Sequence, residues 1–192
     1  MRGWLTDWLS LLALLELGLS AGAMLAESAI LVPYWQTLAA DQFFDWYASN
    51  AELLVGFYSP LQIASAVLAL VATVLSALDR RPTRRWVLST VLSLGVLALF
   101  FVYFKDANAG VANRSVAPQD LPGALQTWGA WQWARVALGT GAFAMAAAAV
   151  ILSSGTTSTL SSDSGRRVRQ RAHDTAQRRL LREPHAKKCC GD

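Results

Sequence analysis

The chain has 192 residues, of which 54% are hydrophobic and only 16% charged, and its mean hydropathy is +0.32. That composition is too apolar and too poor in charge for an ordinary soluble domain, and the apolar residues fall into blocks separated by short polar stretches, as membrane spans require. The net charge of +4 belongs to the end of the chain: residues 155–192 carry nine Lys or Arg against four acids, residues 1–154 eight against nine, so the basicity needs no nucleic-acid partner.

The first apolar block runs from Trp8 to Val32 and stops at Pro33. Its 25 residues exceed the roughly 20 that cross a bilayer's hydrocarbon, so it reads as a tilted span. A cleaved signal peptide is the rival reading, because Arg2 precedes an apolar run and Ala21-Gly22-Ala23 resembles a cleavage site; against it, the run continues past Ala23 and Glu16 interrupts it.

From Tyr34 to Tyr58 the sequence mixes Trp35, Phe43, Phe44, Trp46, Tyr47 and Phe57 with Asp41, Asp45 and Glu52, which is the composition of a membrane–water interface. Asp41 is placed to cap a helix that runs on through Pro60, with a kink there, into a second span from Ser59 to Leu78. The Asp79 to Arg85 turn is short and forces antiparallel neighbours; Trp86 to Tyr103 form the third span, closed by Lys105 and Asp106. A polar loop from Ala107 to Gly123, holding the glycosylation-type triplet Asn113-Arg114-Ser115, leads to a fourth span from Leu125 to Leu152.

Beyond Ser153 the composition collapses into Ser, Thr, Gly and charge, and the tail from residue 155 is expected to be solvated and disordered, with a helix over Arg166 to Arg182 and attraction to anionic lipid as the sharper alternative. Cys189 and Cys190 are adjacent and not placed to bridge each other, and His173 and His185 also lie in the tail. The membrane body therefore offers no imidazole or thiolate, and neither a metal nor a cofactor is expected.

The fold class is thus all-α: a four-transmembrane-helix bundle over residues 1–154, with an amphipathic interfacial segment before helix 2, and a basic tail over 155–192. Lys and Arg accumulate on the cytoplasmic side, and with four spans Arg80 to Arg85 and the tail share one side, so both termini are expected in the cytoplasm.

Three ionisable side chains stand inside the spans, where each costs at least about 2.5 kcal/mol to insert and is a functional candidate for that reason. Glu16 and Glu27 are eleven residues apart on span one, within about 20° of one face at 3.6 residues per turn, with Ser20 and Ala23 beside them. Gly18, Gly22 and Ala26 form the opposite, small-residue stripe, suited to close approach of another helix. Arg135 on span four shares a face with Trp128, Trp131, Gln132 and Gly139. Because the two spans run in opposite directions, the depths of Glu27 and Arg135 match, which predicts a Glu27–Arg135 pair roofed by Trp128 and Trp131. The bland alternative is that the pair only sets helix register and the tryptophans form an interfacial belt.

Trp128-Gly129-Ala130-Trp131-Gln132-Trp133-Ala134-Arg135 resembles the W-x-x-W-N-x-x-R signature that opens the last helix of the anthrone oxygenase-like family of small four-helix membrane proteins. Gly18 to Pro33 and the Ser59-Pro60 step after an amphipathic segment are similar to that family's first and second helices, and the resemblance covers roughly residues 8 to 153. Gln132 stands where the family usually has Asn, Trp133 replaces a frequent His, and Lys105 to Asn108 only loosely match the Asn-x-Pro-x-Asn stretch. The resemblance implies oxidation of anthrones without metal or flavin, with Glu27 as the base and Arg135 holding the enolate as catalytic residues, and Trp128, Trp131, Gln132, Glu16 and Ser20 binding substrate. The implied partners are membrane lipid and a lipophilic aromatic ligand, with turnover left open. The second reading is a non-catalytic membrane subunit or scaffold, in which the Gly18/Gly22 face and the Trp35 to Tyr58 segment dock a larger membrane-protein partner or a second copy. A transporter or channel comes third, because four spans leave little room for a pathway and no inverted repeat is visible.

Overall fold

A computed structural model describes residues 2–182, with side-chain surroundings for residues 3–152. The described residues contain helices and no strand. They are α1 (Arg2–Ala26), a π-helical turn (Glu27–Leu31), α2 (Val32–Thr37), α3 (Ala40–Leu78), α4 (Arg84–Leu99), a second π-helical turn (Phe100–Phe104), α5 (Lys105–Ala112) and α6 (Leu121–Arg182). Joined end to end, they make four helices long and apolar enough to cross a membrane among the described residues, Gly3–Thr37, Ala40–Leu78, Arg84–Ala112 and Leu121–Leu152. The chain is a four-helix membrane protein. Residues up to Val150 form one compact unit and those from Ile151 another. Cys189, Cys190 and His185 lie outside the described residues, as does the end of the expected tail.

The spans are longer than the hydropathy blocks. The first does not stop at Pro33: that proline follows directly on the π-helical turn, at the start of α2, and the helix continues to Thr37. The third does not close at Lys105, because a π-helical turn carries it through α5, and the polar loop shrinks to residues 113–120. The fourth begins at Leu121 rather than Leu125. Asp41 is not the cap of α3; Ala39 is, its N–H donating to Gln42 Oε1 at 3.3 Å, with Asp41 in the acidic first turn. As expected, α3 passes through Pro60 without interruption.

Two helix ends close in the same way. Arg80, with φ 55°, ends α3, and Arg81 N–H donates to Ser76 O; Arg114, with φ 51°, ends α5, and Ser115 N–H donates to Gly110 O. Each end is then tied to another helix. Arg81 pairs with Asp7 while Thr6 Oγ1 donates to Asp79 at 2.7 Å, and Arg114 pairs with Asp45 and lies over the Phe44 ring at 5.8 Å.

Between these ends the core differs from one end of the bundle to the other, with a small cluster of Met24, Val96 and Val136 besides. At the Arg80 end, Ala13, Leu17, Ala69, Ala72, Trp86, Ala142, Ala146 and Ala149 pack together, and small side chains bring the backbones close where lipid gives no hydrophobic drive to association. Ser89 Oγ donates to Ala142 O at 2.9 Å across that contact, and Thr73 and Thr90 hydroxyls meet at 2.9 Å. At the Arg114 end the core is aromatic: Trp35, Phe43, Phe44, Tyr47, Phe104 and Trp128 are all buried. The expected small-residue stripe on α1 is not the packed face. A Cβ at Gly22 would meet nothing within 4 Å and Ala26 is exposed, whereas a Cβ at Gly18 would stand 3.1 Å from the Phe143 ring, and the buried stripe runs through Ala13, Leu17, Met24 and Glu27.

The close approach of α1 and α6 is made instead at Gly139, where a Cβ would stand 2.2 Å from Cε of Met24, itself buried. Gly139→Ala is expected to cost about 1–3 kcal/mol of stability through overpacking. Denaturation in mixed micelles checks this: the loss in Met24→Ala/Gly139→Ala should be smaller than the sum of the single losses, and additive losses would show that this contact is not what requires glycine.

Candidate functional site

Glu27 is the first residue of the π-helical turn that interrupts span one. A π turn adds a residue to the helix without adding a full turn and is frequent at functional positions. The second π turn, Phe100–Phe104, interrupts span three, and Phe100, Phe104 and Glu27 line one cavity. Both irregularities therefore adjoin the same space.

Glu27 is 7% exposed, Arg135 5% and Gln132 0%. The expected direct pair is not what forms. Gln132 stands between the two charges, its Nε2 donating to Glu27 Oε2 at 2.7 Å and its Oε1 accepting from Arg135 at 2.8 Å. The residue spacing explains the arrangement: Gln132 and Arg135 are neighbours one turn apart on α6, so the amide is held beside the guanidinium and reaches the carboxylate with its other end. The guanidinium also lies over the Phe104 ring, 4.5 Å from its centroid. In a low-dielectric interior this chain matters because an uncompensated charge there costs several kcal/mol.

The aromatic shell is continuous. Trp35 makes edge contacts with Phe43, Trp46, Tyr47 and Trp128, with centroids 5.5–6.3 Å apart. Trp128 also meets Tyr47 and Phe104 at 6.1 and 5.7 Å. Trp131 does not join Trp128 over the site; it stacks on Tyr103, 5.2 Å away with planes 14° apart.

The cavity enclosed by these groups has a volume of about 60 Å³. Its lining includes Glu27, Arg135, Trp35, Trp128, Tyr47, Tyr58, Gln62, Phe104 and Asn108, and it reaches Val55, which is 52% exposed, so the space opens to the surface beside α3. Gln62, Tyr47, Tyr58 and Asn108 carry no charge, and Tyr47 and Tyr58 fall in the aromatic interfacial segment, so charge within a span does not single them out. The presence of a buried Gln on a helix rich in Ala and Leu was the available signal.

The other expected site residues are elsewhere. Glu16 is half-buried at the margin of the packed stripe, and eleven residues of helix place it roughly 16 Å along the axis from Glu27. Ser20 is buried but lines a separate cavity of about 10 Å³ with Met24, Gln62, Ser65, Ser93 and Gly139. A roomier space of about 250 Å³ lies between Gln36, Leu38, Leu121 and Leu125 and holds no ionisable side chain. Among the described residues no three His, Cys, Asp or Glu side chains converge as metal ligands would. Comparison with protein-family models, curated proteins and solved structures finds no match for the chain.

The bridging role of Gln132 yields a measurable consequence. Gln132→Leu removes both partners at once and is expected to destabilise the bundle by about 3 kcal/mol, in the range for breaking a buried charged pair. A triple variant, Glu27→Leu/Gln132→Leu/Arg135→Met, should recover most of that loss in micellar unfolding; if it is less stable than the single variant, the chain of three is not what sets the cost.

Proposed function

We propose that this protein binds a lipophilic aromatic molecule within its membrane domain, in the manner of the anthrone oxygenase-like family, and oxidises it at the Glu27–Gln132–Arg135 end of the cavity. The observation that carries the reading is the juxtaposition, in one laterally opening space, of a buried carboxylate and guanidinium with the rings of Trp35, Trp128 and Phe104. Sixty cubic ångströms hold about four waters. The enclosed part therefore suits the reacting edge of a ligand, and the remainder of a fused ring system lies in the opening past Val55, on the bilayer side.

The chemistry follows from the groups. A ring CH₂ acidified by a conjugated carbonyl loses a proton to Glu27, and Arg135 stabilises the enolate oxygen. The enolate carbon bonds to O₂, and the peroxide anion takes the proton back. Loss of the second C–H proton with cleavage of the O–O bond leaves a carbonyl and water, so that CH₂ and O₂ become C=O and H₂O. The substrate carbon is oxidised and dioxygen is reduced, with no other reactant required.

The same reading places the termini and the Arg80–Arg85 turn in the cytoplasm, supported by the four arginines at that turn against Lys105 and Arg114 at the opposite end. Reporters inserted between Arg81 and Arg84 and fused after Asp192 are expected on one side of the membrane; opposite sides overturn the orientation. For the activity, purification in mild detergent is expected to retain a lipophilic aromatic compound detectable by mass spectrometry. Glu27→Gln is expected to slow oxygen uptake with an anthrone at least about 100-fold while leaving binding within a few-fold, as for loss of a general base. The scaffold reading is favoured by one observation, the open Gly22 and Ala26 surface; a stoichiometric protein partner without a bound lipophile would support it instead.

A further inference from the structure

The side chains around the 60 Å³ cavity are unbalanced in their hydrogen bonding. Among the described residues, Trp35 Nε1, Trp128 Nε1, Gln62 Nε2 and Arg135 Nε are buried N–H groups without a partner, and all four residues line this cavity. One lining acceptor, Asn108 Oδ1, is in the same condition. Indole and guanidinium nitrogens can only donate, so at least three of these groups are satisfied only by an acceptor. Leaving a donor buried and unmet is destabilising, so each such group calls for an acceptor that arrives to meet it.

Elsewhere in the bundle the polar groups are matched. Ser65, Ser89, Ser93 and Thr73 all donate to backbone carbonyls, so the surplus of donors is a property of this cavity and not of the membrane domain in general.

From this we infer that the occupant of the cavity enters with a carbonyl-type oxygen, an acceptor without a hydrogen of its own, and that indole and amide N–H groups of Trp128, Trp35 and Gln62 select it. The inference rests on the proposed lipophile site and narrows its ligand to aromatic molecules whose leading polar group is a ketone or quinone oxygen. Arg135 already spends one nitrogen on Gln132 and offers Nε to the same oxygen. A bare aromatic hydrocarbon fits the rings and leaves every donor unmet, so specificity comes from the cost of an unmet donor more than from ring contacts.

The test is equilibrium binding in lipid nanodiscs of two probes with the same ring system, 2-methyl-1,4-naphthoquinone and 2-methylnaphthalene, each corrected for partition into empty discs. The quinone is expected to bind the intact protein at least about tenfold more tightly, one good hydrogen bond's worth of discrimination. Trp128→Phe, which keeps an aromatic ring and removes the N–H, should lower quinone affinity severalfold without changing hydrocarbon binding. Gln62→Leu, similar in size, supplies the same comparison if the tryptophan variant does not fold. Equal binding of both probes, unaffected by either substitution, overturns the acceptor selection and leaves the lipophile site standing. Absence of saturable binding by either probe overturns both.

Discussion

A charged side chain in the interior of a membrane domain has few ways to persist, and here a carboxylate on the first span and a guanidinium on the fourth persist by sharing one glutamine. An amide can donate to the carboxylate with one end and accept from the guanidinium with the other, and Gln132 does both at 2.7 and 2.8 Å. Spans one and four are thereby joined at a depth where neither charge can be left alone. The opposite end of α1 is held differently, by Asp7–Arg81 and Thr6–Asp79 at the membrane margin, where water screens the charges and each pair contributes little by itself.

The division of the bundle into an alanine-packed half and an aromatic half follows from what each has to hold. Alanines at 69, 72, 142, 146 and 149 let backbones approach and leave no space. Large rings meeting edge to face cannot fill space so closely, and irregular gaps remain around them. The two π-helical turns shift the register of the residues that follow them, and Glu27 at the start of one and Phe104 at the end of the other adjoin the same gap. The proposed oxidation uses that gap, which reaches the surface at Val55.

Much of this was legible from residue order. Four spans, their antiparallel order and the buried status of Glu27, Gln132 and Arg135 come from hydropathy blocks and helical spacing, because a bilayer penalises exposed backbone and charge so heavily that few alternatives exist. The limits of the spans were less legible. Helices passed beyond Pro33 and Lys105 where local composition argued for an end, since a π-helical turn leads directly into Pro33 and on to Thr37, and Val111 of α5 packs in the aromatic core.

The sequence by itself determined that the chain lies in a membrane as four helices and that a carboxylate and a guanidinium stand at similar depth, because both results depend only on apolar length, direction and one rise per residue. Tertiary structure alone decided how those charges are neutralised and which groups surround them. Gln132 bridges them, Glu16 and Ser20 lie away from the cavity, and Gln62, Tyr58 and Asn108 arrive from spans two and three. The physical reason is that periodicity assigns a residue to a face of its own helix, whereas a site's chemistry depends on which faces of different helices meet, and two π-helical turns shift those faces in ways that a period of 3.6 does not contain.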